Sequence, residues 1–275
     1  PNKSIKKKWL EPLRGSREEI IMATYNWAAI VARLNKLIRY GCAPVGMKWI
    51  KTEEEFRQIP KVRIQEKHYP TCVAVGQAHQ FGWTTACKFE NYHANYCRGI
   101  SGLFERDGKW YNGEMFNKVW FEELESSKAH NRALECVPSG HYAIVCSPVD
   151  AGKIEAPDVV VLYTSSAQAF MLFAGWQYKG YEKLEFSFVG ESTCADSWCH
   201  TFNTGKPGFA IPSFADRKFG GAGEWEVRVS FTPEDLVRAI EGMEGMWKAG
   251  LRYPIAPHSL TTDVCPGMPP HYLEF

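Results

Sequence analysis

The nine cysteines of this chain are the residues with the widest range of chemistry. They occupy positions 42, 72, 87, 97, 136, 146, 194, 199 and 265 of 275 residues. An odd number at irregular spacing is not typical of a disulfide framework. No apolar stretch follows Lys6–Lys8, so we predict no signal peptide and a cytoplasmic location. In a reducing cytoplasm, cysteines act as small buried side chains, metal ligands or reactive thiols.

Cys194 has the most specific position of the nine. It follows Glu191-Ser192-Thr193 at a predicted strand-to-helix junction. The positive end of a helix dipole and the unpaired amides of the first turn lower the pKa of a thiol, so we take Cys194 as the candidate catalytic residue. The alternative is ordinary packing. The candidate bases are His79, His93 and His141, of which we select His93.

The cysteines and histidines also offer a loose candidate metal site. They are Cys72, His79, Cys87, His93 and Cys97 within 26 residues, followed by Cys194, Cys199 and His200 at irregular spacing. Thiolate and imidazole are suitable ligands for zinc or iron, and thiolates can hold an iron–sulfur cluster. The chain has no CxxC pair, which disfavours a zinc ribbon or a thioredoxin-like site. The alternative is that these cysteines are buried hydrophobic side chains.

Two basic residues and one tryptophan are candidates for substrate binding. Lys48 is central in an apolar run, where an unpaired charge is costly to bury, so it reaches solvent or meets an anionic group. Arg217 precedes the glycine-rich segment 220–223 and either pairs with Asp216 or Glu224 or binds an anion. Trp198 is near Cys194 and suits a planar ligand, although most tryptophans belong to the core.

Several classes of protein are disfavoured by what the sequence lacks. It has no Walker A loop, no GxGxxG after a strand, no HExxH and no GxSxG. Lys plus Arg number 32 and Asp plus Glu 31, a net charge of +1 that argues against nucleic acid. No apolar run approaches the roughly 18 residues of a membrane helix. We expect a small-molecule substrate, and a second copy or a protein partner at the termini.

The hydrophobic pattern predicts intermixed helices and strands. A capping box at Ser16–Glu19 starts a helix that ends near Gly41. The other predicted helices cover 51–57, 71–81, 91–99, 166–178, 193–202 and 233–247. The predicted strands cover 44–50, 142–146, 159–163, 186–189 and 225–231.

These elements lack a strict βαβ rhythm. We therefore predict an α+β or mixed α/β fold: a single compact domain over residues 15–250, with a mixed sheet and helices packed on it. A basic arm at 1–14 and a proline-rich tail at 251–275 extend from that domain.

Short segments in a fixed order resemble the DUF169 family of anaerobic bacteria and archaea. They include Pro44–Lys48, Cys72 with Ala78, and Glu90-Asn91 ahead of Cys97 and Gly102. They continue through Ala156–Val161, Ala167–Ala169, Thr193–Asp196, the Arg217 segment and the strand 224–231. The resemblance runs from about residue 28 to about residue 247.

The resemblance implies a cysteine-bearing site with one departure. Many similar proteins carry Cys-x-x-Cys-Arg where this chain has Ser213–Arg217. The metal ligands implied here are Cys72, Cys97 and Cys194, with Asp216 as an oxygen ligand. We therefore expect a cytoplasmic enzyme or enzyme subunit, with metal- or thiol-dependent redox or lyase-type chemistry on a small anionic or aromatic molecule. The alternative is a non-catalytic ligand-binding or accessory subunit with structural cysteines.

Overall fold

The computed structural model describes residues 25–64, 66, 68–91, 95–257, 263 and 265–274. Within them lie nine α-helices and a seven-stranded sheet. The helices are α1 (Trp27–Ile38), α2 (Glu53–Gln58), α3 (Thr71–Phe81), α4 (Asn95–Ile100), α5 (Leu124–Ala133), α6 (Ser166–Tyr178), α7 (His200–Thr204), α8 (Phe214–Lys218) and α9 (Pro233–Lys248). The strands are β1 (Val45–Ile50), β2 (Arg63–Ile64), β3 (Thr85–Lys88), β4 (Ala143–Pro148), β5 (Val159–Ser165), β6 (Gly208–Ala210) and β7 (Glu226–Phe231).

The sheet has the strand order β2-β3-β4-β1-β5-β7-β6. Its neighbouring strands are antiparallel except β2 and β3, which are parallel, so the sheet is mixed. The predicted α+β fold with a mixed sheet is confirmed. No helix in the described ranges is long and apolar enough to cross a membrane.

The strands divide their side chains between two cores because successive residues point to opposite faces. On β5, Val160 and Leu162 pack against α1, α6 and α9, whereas Val159, Val161 and Tyr163 face the core that contains α3 and α4. The second of these faces carries the candidate site.

Helices α6 and α9 approach closely at two glycines. A Cβ atom at Gly242 would overlap with the carbonyl oxygen of Gly175, and one at Gly175 would overlap with that of Ala239. Only glycine lets the two backbones pack at this separation. This contact fixes α9 beneath the sheet, on the side away from the candidate site.

The predicted strand at 186–189 is wrong. The side chain of Asp196 instead binds this segment: Ser187 Oγ donates to Oδ1 at 2.5 Å, and the Val189 amide donates to Oδ2 at 2.9 Å. The backbone thus has a carboxylate partner in place of a neighbouring strand, and Phe188 is 70% exposed.

The structure adds detail to the predicted ends of the chain. The arm at 1–14 and the capping box at Ser16–Glu19 lie outside the described residues, and α1 begins after Asn26, whose side chain accepts from the Ala29 amide. Within the predicted tail, short 3-10 turns cover Cys265–Gly267 and Pro270–Glu274.

Candidate functional site

A cavity of about 510 Å³ lies on the face of the sheet that carries Tyr163. Its lining comes from the start of α3, from α4, from the loop before α5, from the segment 191–198, from α8 and from β7. The side chains central to its chemistry are Cys72, Cys97, Glu191, Cys194, Trp198, Asp216 and Arg228. Most of the remaining lining is apolar or aromatic, as is typical of small-molecule sites.

An irregular helical turn places two of these side chains. Residues 195–199 form a π-helical turn that continues into α7, and Ser197 has the non-helical angles φ −101° and ψ −105°. Turns of this kind are frequent at functional sites because the additional residue redirects neighbouring side chains. Cys194, at the start of the turn, and Trp198, within it, both line the cavity.

Side chains of β7 alternate between the two faces of the sheet, and this alternation places an arginine on the face that carries the cavity. Val229 and Phe231 pack in the core with α9, so Arg228 points to the opposite face. Tyr163 is its direct cross-strand neighbour on β5, and Arg228 Nη2 donates to the Tyr163 hydroxyl at 2.8 Å. The same Nη2 donates to Asp216 Oδ1 at 2.5 Å.

The guanidinium lies between two aromatic rings. Its central carbon is 4.7 Å from the centroid of the Tyr163 ring and 4.7 Å from that of Trp198. Cation–π attraction of this type grows as water is removed. The charge of Arg228 is thus stabilised by one carboxylate and two rings in a place where its side chain has no exposed surface.

Four buried polar atoms, on three of the residues that line the cavity, have no hydrogen-bond partner within the described structure. They are Arg228 Nε and Nη1, Trp198 Nε1 and Asp216 Oδ2. Trp198 and Arg228 are 0% exposed and Asp216 is 2% exposed. A buried polar atom without a partner costs about 1–3 kcal/mol. These three donors and one acceptor, all without a partner, are therefore the most distinctive polar feature of the cavity lining.

Glu191 forms the polar rim between the π-helical turn and α8. Its carboxylate accepts from Ser213 Oγ at 3.2 Å and from the amides of Phe214 and Ala215 at 3.2 and 3.3 Å. Burial nevertheless raises the pKa of this carboxyl, and the nearby Asp216 acts in the same direction. The residue joins the wall of the cavity to the start of α8.

The cavity thiols are held in their protonated form. Burial raises the pKa of Cys72 and Cys194 well above the ordinary range, and it raises that of Cys97 to about 12. Asp216 adds to the effect at Cys72, and Cys199 adds to it at Cys194. The predicted lowering of the Cys194 pKa is therefore wrong, because desolvation outweighs the helix dipole.

The predicted metal ligands share the cavity without forming a compact donor set. Cys72, Cys97, Cys194 and Asp216 all line it. Among the side chains that the structure describes, however, no three from His, Cys, Asp and Glu are grouped as ligands of one metal ion.

The other predicted residues have different positions. Trp198 lines the cavity, but Lys48 lies on the other face of β1, where Nζ is 3.2 Å from Asp158 Oδ1. Arg217 donates to the carbonyl oxygens of Pro212, Gly223 and Glu224 and so ties the glycine-rich segment to α8. His93 lies outside the described residues.

Sequence reasoning missed Arg228 and Glu191 as site residues. In Trp225–Phe231, an arginine that alternates with valines is typical of a solvent-facing position. The available signal was that Tyr163 and Arg228 both lie in predicted strands, which belong to one buried sheet.

A second, more polar cavity of about 470 Å³ lies on the other side of Tyr163. His79 stacks on the Tyr163 ring, with centroids 4.3 Å apart, and its Nδ1 is 3.9 Å from Cys42 Sγ. Burial lowers the pKa of His79. Tyr163 therefore contacts His79 through its ring and Arg228 through its hydroxyl.

This fold and cavity define a small α+β protein with an internal aromatic site. The chain belongs to the DUF169 family, described as uncharacterised ArCR, whose profile matches residues 33–242. It is similar to the uncharacterised protein MJ0308 of Methanocaldococcus jannaschii, with 29% identity over 215 residues that cover 75% of this chain and 90% of the relative. No solved structure matches the chain.

Proposed function

We propose that this protein binds a small molecule with an aromatic or apolar body in the cavity between α3, α4, α8 and the π-helical turn. The observation that supports the proposal is the group of open polar atoms on Arg228, Trp198 and Asp216 in an otherwise largely apolar lining. An apolar wall with a few convergent polar groups is the usual composition of a ligand site.

Partly exposed, large apolar side chains also line the cavity. Met115, Trp120, Phe214 and Phe219 line the cavity and are each between 44% and 55% exposed. The rings of Trp120 and Phe214 meet edge to face, with centroids 5.7 Å apart. Exposed aromatic rings at a cavity are typical of a binding site, because their apolar surface is covered when a ligand enters.

The neutral thiols favour binding over thiol catalysis. A cysteine nucleophile reacts as the thiolate, whereas burial raises the pKa of Cys72, Cys97 and Cys194. In this proposal the three cysteines are small, polarisable wall residues that contact the body of the ligand.

A screen of aromatic fragments by ligand-detected NMR tests the proposal. Ala215 lines the cavity, so Ala215→Trp fills part of its volume. Ala28 is exposed on α1, and Ala28→Trp is the matched control. We expect bound fragments to lose their signal with Ala215→Trp and to keep it with Ala28→Trp. Equal binding to both variants, or no bound fragment with the unmodified protein, would contradict a ligand site here.

Metal-dependent enzyme activity is the second candidate. The observation that favours it is that the four predicted ligands, three of them thiols, line one cavity. Elemental analysis of protein purified without oxygen tests it, with Cys194→Ser as the variant. About one equivalent of a transition metal that the variant loses would support this candidate, and below about 0.1 equivalent would reject it.

A further inference from the structure

We infer that the cavity recognises a neutral head group that both donates and accepts hydrogen bonds, of the primary-amide or lactam kind, on an aromatic body. The inference rests on the proposed function and specifies the class of ligand. It differs from the anionic ligand that the sequence favours through Lys48 and Arg217, since neither of those residues lines the cavity.

The open atoms require both kinds of partner. Arg228 Nε and Nη1 and Trp198 Nε1 are donors, so they need acceptors from the ligand. Asp216 Oδ2 is an acceptor and needs a donor. A primary amide supplies a carbonyl oxygen and an NH₂ group within one planar unit. Its carbonyl oxygen can accept from two of the three donors, and its NH₂ group can donate to Asp216, so it offers both functions without adding charge.

The charges of the lining disfavour an anion. Apart from its thiols and tyrosine hydroxyls, the titratable groups of the lining are one guanidinium, of Arg228, two carboxyl groups, of Asp216 and Glu191, and one imidazole, of His68. Asp216 already pairs with Arg228. A ligand carboxylate would bring a further negative charge close to Asp216, beside a guanidinium whose charge Asp216 already compensates.

A cationic head group meets the opposite difficulty. An ammonium group has donors only, so it would satisfy Asp216 and leave the Arg228 and Trp198 donors open. It would also bring a positive charge close to the buried guanidinium of Arg228. The neutral group with both functions is the one that offers an acceptor to the donors and a donor to Asp216 without a further charge.

Four indole compounds, which share one ring system and differ in their head group, distinguish a neutral from an anionic or a cationic ligand. They are indole-3-acetamide, indole-3-acetate, tryptamine and 3-methylindole, which carries no polar head group. Fragments of this size bind with a Kd of about 1 mM, within reach of NMR titration of the full chain. We expect the acetamide to bind at least about fivefold more tightly than each of the other three, the effect of one satisfied buried hydrogen bond.

A tryptophan variant tests the contact itself. Trp198→Phe removes the indole N–H and keeps a ring, so we expect acetamide binding to weaken about fivefold while 3-methylindole binding is unchanged. Trp176 is 3% exposed in the opposite core, and Trp176→Phe is the matched control, with no change expected for either probe. Far-UV circular dichroism verifies that both variants fold.

The outcomes distinguish the two proposals. If none of the four probes binds, or if Ala215→Trp binds them as well as the unmodified protein, the proposed function fails. If the probes bind in the cavity but the acetate, tryptamine or 3-methylindole binds as tightly as the acetamide, only the head-group inference is overturned. The order of the four Kd values with the unmodified protein tests the head-group inference even if Trp198→Phe does not fold.

Discussion

Arg228 and Asp216 form an ion pair in which Nη2 and Oδ1 are 2.5 Å apart and the two side chains are 0% and 2% exposed. Removing one partner of a buried pair leaves an uncompensated charge, which costs about 3–5 kcal/mol. We expect Arg228→Met to lower the free energy of unfolding by that amount in urea denaturation.

The double variant provides the control for this pair. Asp216→Leu with Arg228→Met removes both charges, so we expect it to be more stable than either single variant. A single variant within about 1 kcal/mol of the unmodified protein would show that the pair behaves like an exposed one.

The cavity thiols are expected to react slowly at neutral pH. With a pKa of about 12, only about 1 in 10⁴ molecules carries a Cys97 thiolate at pH 8. Iodoacetamide labelling, followed by mass spectrometry, should therefore accelerate about tenfold per pH unit without a plateau below about pH 10. Cys265 is exposed and serves as the internal reference. A plateau near neutral pH at Cys194 would restore the reactive-thiol hypothesis.

The contact between α6 and α9 is expected to tolerate no side chain at Gly242. A methyl group there overlaps with the Gly175 carbonyl, so Gly242→Ala should destabilise the fold by about 1–3 kcal/mol, as overpacking does. Gly180 has open space around its Cβ position, with the nearest atom at 3.9 Å. The control Gly180→Ala should change the melting temperature little. Equal effects of the two substitutions would refute the close contact.

His79 is expected to make stability dependent on pH. Its folded-state pKa is below the ordinary value of 6.5, so the folded protein favours the neutral imidazole. The associated stability is fully present above about pH 6.5 and is lost as the pH falls toward the folded-state pKa. His79→Phe keeps a ring against Tyr163 and removes the titration. Between about pH 7.5 and pH 5 it should lose less stability than the unmodified protein; an equal loss would contradict the prediction.

Lys48 is expected to have no effect on ligand binding. It pairs with Asp158 on the face of β1 away from the cavity, and the two side chains are 29% and 30% exposed. Lys48→Met should therefore change stability by no more than about 1 kcal/mol and leave the Kd of indole probes unchanged. A large loss of binding would place Lys48 in the site after all.

Local pattern was sufficient to predict most elements and part of the cavity. Helices α3 and α6 cover the predicted residues 71–81 and 166–178. Cys72, Cys97, Cys194, Trp198 and Asp216 line one cavity, and their roles there stay predictions. Their protonation could not be predicted, because desolvation depends on neighbours that are distant in sequence.

The position of Arg228 in the cavity lining could be predicted only from the register of the strands. Its position follows from the pairing of Tyr163 on β5 with Arg228 on β7, which no local pattern contains. The same limit applies at 186–189, where a period-two pattern predicts a strand but the carboxylate of Asp196 binds the backbone. In both places a tertiary contact outweighs the local preference.

The lining of the cavity extends from residue 68 to residue 228 and contains parts of helices and strands from across the domain. No short fragment of the chain contains the site, so it forms only when the sheet is complete. A ligand that binds only the folded chain stabilises it by RT ln(1 + [L]/Kd). We therefore expect the cellular abundance of this protein to follow the supply of its ligand, because unliganded chains unfold and are degraded more often.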